Sequence, residues 1–249
     1  MGIGNAILRQ FTPWVYLPIY FLLYENKIFD FGTTPDNIFT FDQLPIWILI
    51  IFADDFSYYW FHRASHKCRY LWASHVIHHS SKKYNLTTAL RQTWTGKIVT
   101  PLIFWSWMLI IGFDPIMVVT MKSINLIYQF WIHTEAINKM PKFFEAIFNT
   151  PSHHRIHHRP PGNANYGALL IVWDRMFGTF QEEEEEPVYG TTKALNSFNP
   201  VWTNFHYWID LWHLASRTTN VLDKIRVFLK PPGWQPEELG GFQHAPELD

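Results

Sequence analysis

Residues 62–79 read HRASHKCRYLWASHVIHH, and five of these eighteen positions are histidine. With 13 histidines in 249 residues, a window of this length would hold about one by proportion, so the excess needs a chemical reason. On a helix, side chains at i, i+3 and i+4 share a face. HxxxH (His62, His66) and HxxHH (His75, His78, His79) therefore each offer two or three imidazoles to one point. Imidazole nitrogen suits zinc, iron, copper or nickel and is a weak partner for magnesium or calcium. A second centre, NTPSHHRIHHRPPGNANYG, repeats HxxHH at His154, His157 and His158, and His133 opens HTE between the two. The candidate ligand set, also the candidate catalytic set, is His62, His66, His75, His78, His79, His133, His154, His157 and His158. A single tetrahedral zinc takes three or four ligands, so nine point to two metal ions with open positions. His153 turns off the face of the trio after it and is expected to support the site or the structure; His206, His213 and His244 lie outside any block.

Groups beside a metal site orient its imidazoles by accepting the other ring N–H. Asp55, seven residues before His62, shares a helical face with Tyr59, His62 and His66 and is a candidate for this role. The alternative is that Asp54 and Asp55 only close the apolar run. Glu135 is a similar candidate near His133.

Composition narrows the setting. Aromatic residues make up 18% and charged residues only 16%, against about 25% charged in ordinary soluble domains. Such a chain is lipid-facing or unusually rich in core. A net charge of −1 and a pI near 6.9 argue against nucleic acid as a partner. Cys68 is the sole cysteine, which excludes an intrachain disulfide and any cysteine-rich metal site, so nitrogen and oxygen must supply the ligands. The opening MGIGNA suggests neither a secretory signal nor myristoylation, since Ala6 stands where Ser or Thr is needed.

Residues 11–24 are apolar but interrupted by Pro13 and Pro18, and suit a tilted or interfacial helix; residues 29–42 read as a loop. Residues 44–61 would extend about 27 Å as a helix, close to a ~30 Å hydrocarbon core, and run directly into His62. Residues 94–113 and 116–132, separated by Asp114-Pro115, are expected to form a helical hairpin in the bilayer. Its second arm carries Lys122, Asn125, Gln129 and His133 on one face, facing a cavity or hydrogen-bonding a neighbouring helix. The glutamates at 182–186 are expected to be a solvated loop, and residues 201–214 an amphipathic helix on the membrane surface. The tail from Pro231 is expected to be loosely structured.

The fold expected is all-α and integral to the membrane: a helical bundle with a transmembrane hairpin and a cytosolic, histidine-rich helical cap. It would form one domain over 1–249, with a catalytic core at about 44–190 and an amphipathic helix and tail at 200–249. Basic residues flank both histidine centres, which the positive-inside rule assigns to the cytosolic side. A metal-transporting protein is a second reading, but histidines gathered at one face argue against it.

The order HxxxH, HxxHH, HTE, HxxHH, with YYWFHR before the first block and NYGALLIVWDRMFGTF after the last, resembles the fatty acid hydroxylase and sterol desaturase superfamily. Within it, HHSSKKYNLTTALRQ, YQFWIHTEAI and NTPSHHRIHH are most similar to the branch that oxidises glyceryl ethers. The likeness runs over about residues 5–235. It implies a multi-pass membrane monooxygenase of the endoplasmic reticulum or a bacterial inner membrane, with two iron ions bound at the cytosolic face; zinc suits the same donors. The implied substrates are a lipid and O2, with C–H replaced by C–OH, in that branch at the carbon beside the ether oxygen to give fatty aldehyde and glycerol. The implied reductant there is tetrahydrobiopterin; sterol and fatty acyl hydroxylases or desaturases of the superfamily use an electron-transfer protein. Two departures are expected: no additional terminal membrane helices, and Ile137 where acyl hydroxylases carry a further histidine.

Overall fold

The computed structural model describes residues 2–95 and 99–241, with the backbone alone for 2–10. Among the described residues the secondary structure is helical, with one isolated bridge between Phe148 and Leu170. Helix α1 spans Gly2–Glu25 and passes through both Pro13 and Pro18. Helix α2 spans Leu44–Lys67 and continues past the apolar run through both histidines of HxxxH. Three short helices follow: α3 (Arg69–Ala73), α4 (Val76–His79) and α5 (Leu86–Ala89). The pair α6 (Val99–Ile111) and α7 (Pro115–Trp131) comes next, with the Asp114 side chain capping α7 and Pro115 at its first turn. The chain then forms α8 (Lys142–Glu145), α9 (Pro151–His158), α10 (Val172–Met176), α11 (Pro200–Arg217) and α12 (Val221–Leu229).

Helices α1, α2, α6 and α7 pack against one another around a core that includes Tyr20, Ile50, Trp105, Met108, Met117 and Met121. Much of their outer surface stays apolar and exposed, as at Trp14, Ile48, Phe52, Ile103 and Ile127. By length and composition α2 is the one described helix able to cross a membrane. The pair α6 and α7 occupies the region where a helical hairpin is expected, 94–132, and α6 is described from Val99, directly after the undescribed residues 96–98.

Polar groups inside this bundle are bonded to one another. The Trp105 indole N–H donates to Asp54 (2.7 Å), Asn125 donates to Asp54 (2.9 Å), and Gln129 donates to Asn125 (2.9 Å). The Lys122 ammonium sits 3.4 Å from the centre of the Trp105 ring. The polar face of α7 thus serves helix-to-helix hydrogen bonding, and its last members lead to His133.

Asp55 is fully buried and joins α2 to the chain beyond the second histidine centre. It accepts from the backbone N–H of Leu169 (2.7 Å) and Leu170 (3.0 Å) and from the Trp173 indole (3.0 Å). Replacing Asp55 with alanine leaves three buried or partly buried donors without this acceptor. We expect a loss of about 3 kcal/mol, read as a lowered thermal midpoint of the detergent-solubilised protein, since each orphaned donor costs about 1–3 kcal/mol.

Candidate metal centre

All nine candidate histidines come together, in two adjoining groups. His62, His66, His75, His79 and His157 form one, and His78, His133, His154 and His158 the other; within each, ring nitrogens lie within 4.8 Å of one another. His79 and His158 stack across the boundary with ring centres 4.4 Å apart. Eight of the nine are buried, and His75 is partly so.

The division corrects the expectation that each HxxHH block serves a single point. In the first block His75 and His79, one turn apart, enter the larger group while His78 enters the smaller. In the second, His154 and His158 enter the smaller group and His157 the larger. Adjacent residues on a helix differ by about 100° in direction, so of three histidines at i, i+3 and i+4 one faces elsewhere once two separate centres are close by. Each block therefore supplies an i, i+4 pair to one group and a single ring to the other.

Ring orientation is set by backbone carbonyls. Nδ1 of His62 lies 2.8 Å from the Tyr166 carbonyl oxygen, Nδ1 of His157 lies 2.8 Å from that of Ala164, and Nδ1 of His133 lies 2.6 Å from that of Gln129. A carbonyl only accepts, so in each neutral ring Nδ1 carries the proton and Nε2 is a bare lone pair. Those lone pairs point inward, with His62 Nε2 3.0 Å from His75 Nε2 and His133 Nε2 3.1 Å from His78 Nε2 and 3.0 Å from His154 Nε2. Nε2 of His66, His157 and His158 is buried without any hydrogen-bond partner. Converging, dehydrated lone pairs are costly unless a cation takes them, so the donor set fits metal ions that favour nitrogen.

Burial holds His75, His79, His133, His154, His157 and His158 well below the ordinary histidine range, and His78 down to about 4. Neighbouring imidazoles add repulsion for most of them. These rings stay neutral, as ligation requires.

The carbonyls themselves are held in place. Asp174 accepts from Tyr166 N–H (2.8 Å), Gly167 N–H (2.7 Å) and the Thr179 hydroxyl (2.6 Å). Gly162 has φ +64, and a Cβ there would lie 3.3 Å from the His66 ring, so a glycine lets the loop press against the site. Arg155, between His154 and His157, forms a two-pronged pair with Glu183 at 2.6 Å on both arms and donates to the carbonyls of Thr134 (3.1 Å) and Ile137 (2.7 Å). This ties α9, the segment after His133 and the acidic stretch together.

The expectations for Asp55, Glu135 and the acidic stretch are corrected here. Asp55 does not receive an imidazole N–H; its oxygens are occupied by Leu169, Leu170 and Trp173. Glu135 is exposed, and His133 is oriented by Gln129. His153 lies outside both groups, against the Phe180 ring at 5.4 Å. The acidic stretch is not wholly solvated, since the Glu183 side chain is only 12% exposed beside Arg155. His206 and His213 join neither group, and His244 lies outside the described residues. Asp174, Arg155 and the carbonyls of Ala164 and Tyr166 were missed as parts of the site; the one signal was the unbroken NANYG and VWDRMFGT run after the last histidine.

A helical chain that gathers nine imidazoles, eight of them buried, into two nitrogen-only groups has a donor set able to hold metal ions. The fatty acid hydroxylase family model matches residues 47–179, from within α2 to beyond α10, and the chain belongs to that family. Alkylglycerol monooxygenase from Homo sapiens is 40% identical over 253 residues, covering 99% of this chain and 54% of the relative. The Xenopus tropicalis protein of the same name is 44% identical over 207 residues, covering 81% of this chain and 46% of the relative. Ornithine lipid hydroxylase OlsE from Rhizobium tropici is 26% identical over 153 residues, 56% of this chain and 44% of that protein. The chain thus spans about half the length of the curated relatives it matches. No solved structure matches it.

Two outcomes follow from the buried charges. Glu183→Gln should destabilise the protein by about 3 kcal/mol, because it leaves the Arg155 guanidinium buried and unpaired, whereas Glu184→Gln, at an exposed position, should have little effect; thermal unfolding of both variants checks this. The metal-free protein should lose stability as pH falls below about 6.5, the unfolded histidine value. There the unfolded chain takes up protons that the buried rings refuse, so stability is fully present above that pH and declines by about 1.4 kcal/mol per pH unit for each excess proton. Thermal midpoints of the stripped protein across a pH series measure it.

Proposed function

We propose that this chain is the catalytic domain of a membrane-bound di-iron lipid monooxygenase, with its core at about residues 44–190 and its histidine centre at the cytosolic membrane face. The observation that carries the reading is the pair of buried all-imidazole groups, five rings and four, inside a chain of the fatty acid hydroxylase family. His62, His66, His75, His79 and His157 would hold one iron, and His78, His133, His154 and His158 the other. Neutral nitrogen donors leave both ions cationic and open to O2, which carboxylates or thiolates would not do to the same degree. When bound, the irons supply activation of O2 for replacing a lipid C–H by C–OH.

The remaining work falls to the chain's own groups. The Tyr166, Ala164 and Gln129 carbonyls keep His62, His157 and His133 in the ligating tautomer. The Trp72 ring lies 4.9 Å from that of His66, and the Tyr84 ring 5.0 Å from that of His158; both exclude water from the groups. The Tyr84 hydroxyl donates to the Ile132 carbonyl (2.9 Å), which keeps this wall in register with His133.

The substrate we propose is an alkylglycerol, supported by relatives named for that activity at 40–44% identity. Hydroxylation of the carbon beside the ether oxygen places hydroxyl and ether oxygen on one carbon. The carbon–oxygen bond to glycerol then breaks as the hydroxyl proton passes to the departing oxygen, giving a fatty aldehyde and glycerol. The second atom of O2 leaves as water with two electrons and two protons from a reductant, for which we propose tetrahydrobiopterin. Helix α2 would cross the bilayer, with α1, α6 and α7 embedded beside it, and the exposed apolar residues of α11 (Val201, Trp202, Phe205, Ile209, Trp212) would rest at the membrane surface. The membrane would be the endoplasmic reticulum in a eukaryote or the inner membrane in a bacterium.

Purified, iron-loaded protein should contain two irons per chain by elemental analysis, and His78→Ala should lose about half the metal and all turnover; a fully loaded site with one iron would overturn the di-iron reading. Incubation with an alkylglycerol, O2 and tetrahydrobiopterin should release fatty aldehyde. Product formed only with an electron-transfer protein would assign a different reductant, and hydroxylation of a sterol or acyl chain in place of the ether would assign a different substrate.

A further inference from the structure

Helix α12 carries two opposed apolar faces, and the protein covers one of them. Val227 is completely buried against α11 and α3, while Val221, Leu222, Ile225 and Leu229 are 69%, 60%, 53% and 61% exposed. At 100° per residue these four fall within about one quarter of the helix circumference, roughly opposite Val227. Lys224 lies on one margin of the stripe and Arg226, paired with Asp223 at 2.9 Å, on the other.

Three observations identify what covers it. First, the end of α12 is hydrogen-bonded to the end of α2, the described helix able to cross a membrane: Arg69 N–H donates to the Lys230 carbonyl (3.2 Å) and the Cys68 thiol to that of Phe228 (3.5 Å). Second, α2 has 24 residues, about 36 Å, against a ~30 Å hydrocarbon core, so its last turn and the attached α12 reach headgroup level. Third, a narrow apolar stripe edged by Lys and Arg is the pattern that inserts between acyl chains while the long basic side chains reach the phosphates.

We propose that α12 is an interfacial anchor whose Val221, Leu222, Ile225 and Leu229 stripe inserts into the bilayer beside the end of α2, with Lys224 on anionic headgroups. The proposal rests on the reading of α2 as a membrane span. The anchor would hold the short segment from Cys68 to His75 at constant height above the lipid, so that the histidine groups keep their distance from an embedded substrate.

The test places a nitroxide label at single cysteines in the full chain carrying Cys68→Ser, which retains a donor for the Phe228 carbonyl. The variants are Ile225→Cys, Leu229→Cys, Lys224→Cys and, as a control on α2, Ile48→Cys, each reconstituted in vesicles of phosphatidylcholine and phosphatidylglycerol. Collision rates with O2, which partitions into lipid, and with a water-soluble nickel chelate report depth. We expect the O2-to-nickel ratio at 225 and 229 to exceed that at 224 several-fold, with 48 deeper still. Nickel access at 225 and 229 equal to that at 224, with 48 protected, overturns the anchor alone; nickel access at 48 overturns the membrane reading and the anchor with it. Protection at 225 together with dipolar broadening that dilution into unlabelled protein removes would assign the stripe to a second copy of the chain, and overturn the proposal. A chain that folds only with Cys68 intact is tested by bromolipid quenching of Ile225→Trp against Lys224→Trp, with stronger quenching at 225 expected and equal quenching overturning the anchor.

Discussion

Three bonds from imidazole N–H to backbone carbonyl govern the centre. With Nδ1 of His62, His157 and His133 committed to Tyr166, Ala164 and Gln129, each ring has one remaining nitrogen and one direction for its lone pair. The protein must then bury those lone pairs against others of the same kind, which a folded chain without a cation has no reason to do. Much of the surrounding structure keeps the three carbonyls where they are. Asp174 draws in the N–H groups of Tyr166 and Gly167, Asp55 secures Leu169 and Leu170 to α2, and the Asn165 side chain spans to the His153 and Gln181 carbonyls.

The supports are buried charges, which are a poor choice for stability alone. A carboxylate such as Asp55 loses its hydration on burial and recovers the loss only through several well-placed donors. What it provides is direction, because an acceptor with fixed donors admits one arrangement of the chain and a packed leucine admits many. Arg155 does the same on the other side of α9, where one guanidinium joins Glu183 to the Thr134 and Ile137 carbonyls and thereby seats the turn carrying His133.

Much of this was legible in the sequence where the signal is local. Histidine spacing of three and four residues is a property of the helix, so the nine rings and their gathering could be read from residue order. Their sorting into five and four could not, because it depends on where a second centre lies relative to helices as short as α4 and α9. Asp55 stands out for its position seven residues before His62, yet its donors at Leu169, Leu170 and Trp173 sit more than a hundred residues away and no periodicity points to them. Glu183 looked like any member of a glutamate run, and only the approach of Arg155 distinguishes it.

The use of carbonyls rather than carboxylates beside the ligands bears on chemistry as well as geometry. A carboxylate accepting an imidazole N–H pulls the proton toward itself and makes the ring a stronger donor, which lowers the effective charge on a bound metal. A carbonyl orients the ring and adds no negative charge. The buried carboxylates Asp55 and Asp174 are instead occupied by backbone and side-chain donors. Two ions held in this way would face their imidazoles with almost no compensating anion close by. That arrangement disfavours binding in itself but leaves the metals strongly electrophilic. The cost is acceptable because the alternative for the chain is a cluster of buried imidazole lone pairs with nothing to hold. Trp72 and Tyr84, packed against His66 and His158, shield the groups from water, so that any cation held there would keep its charge little screened.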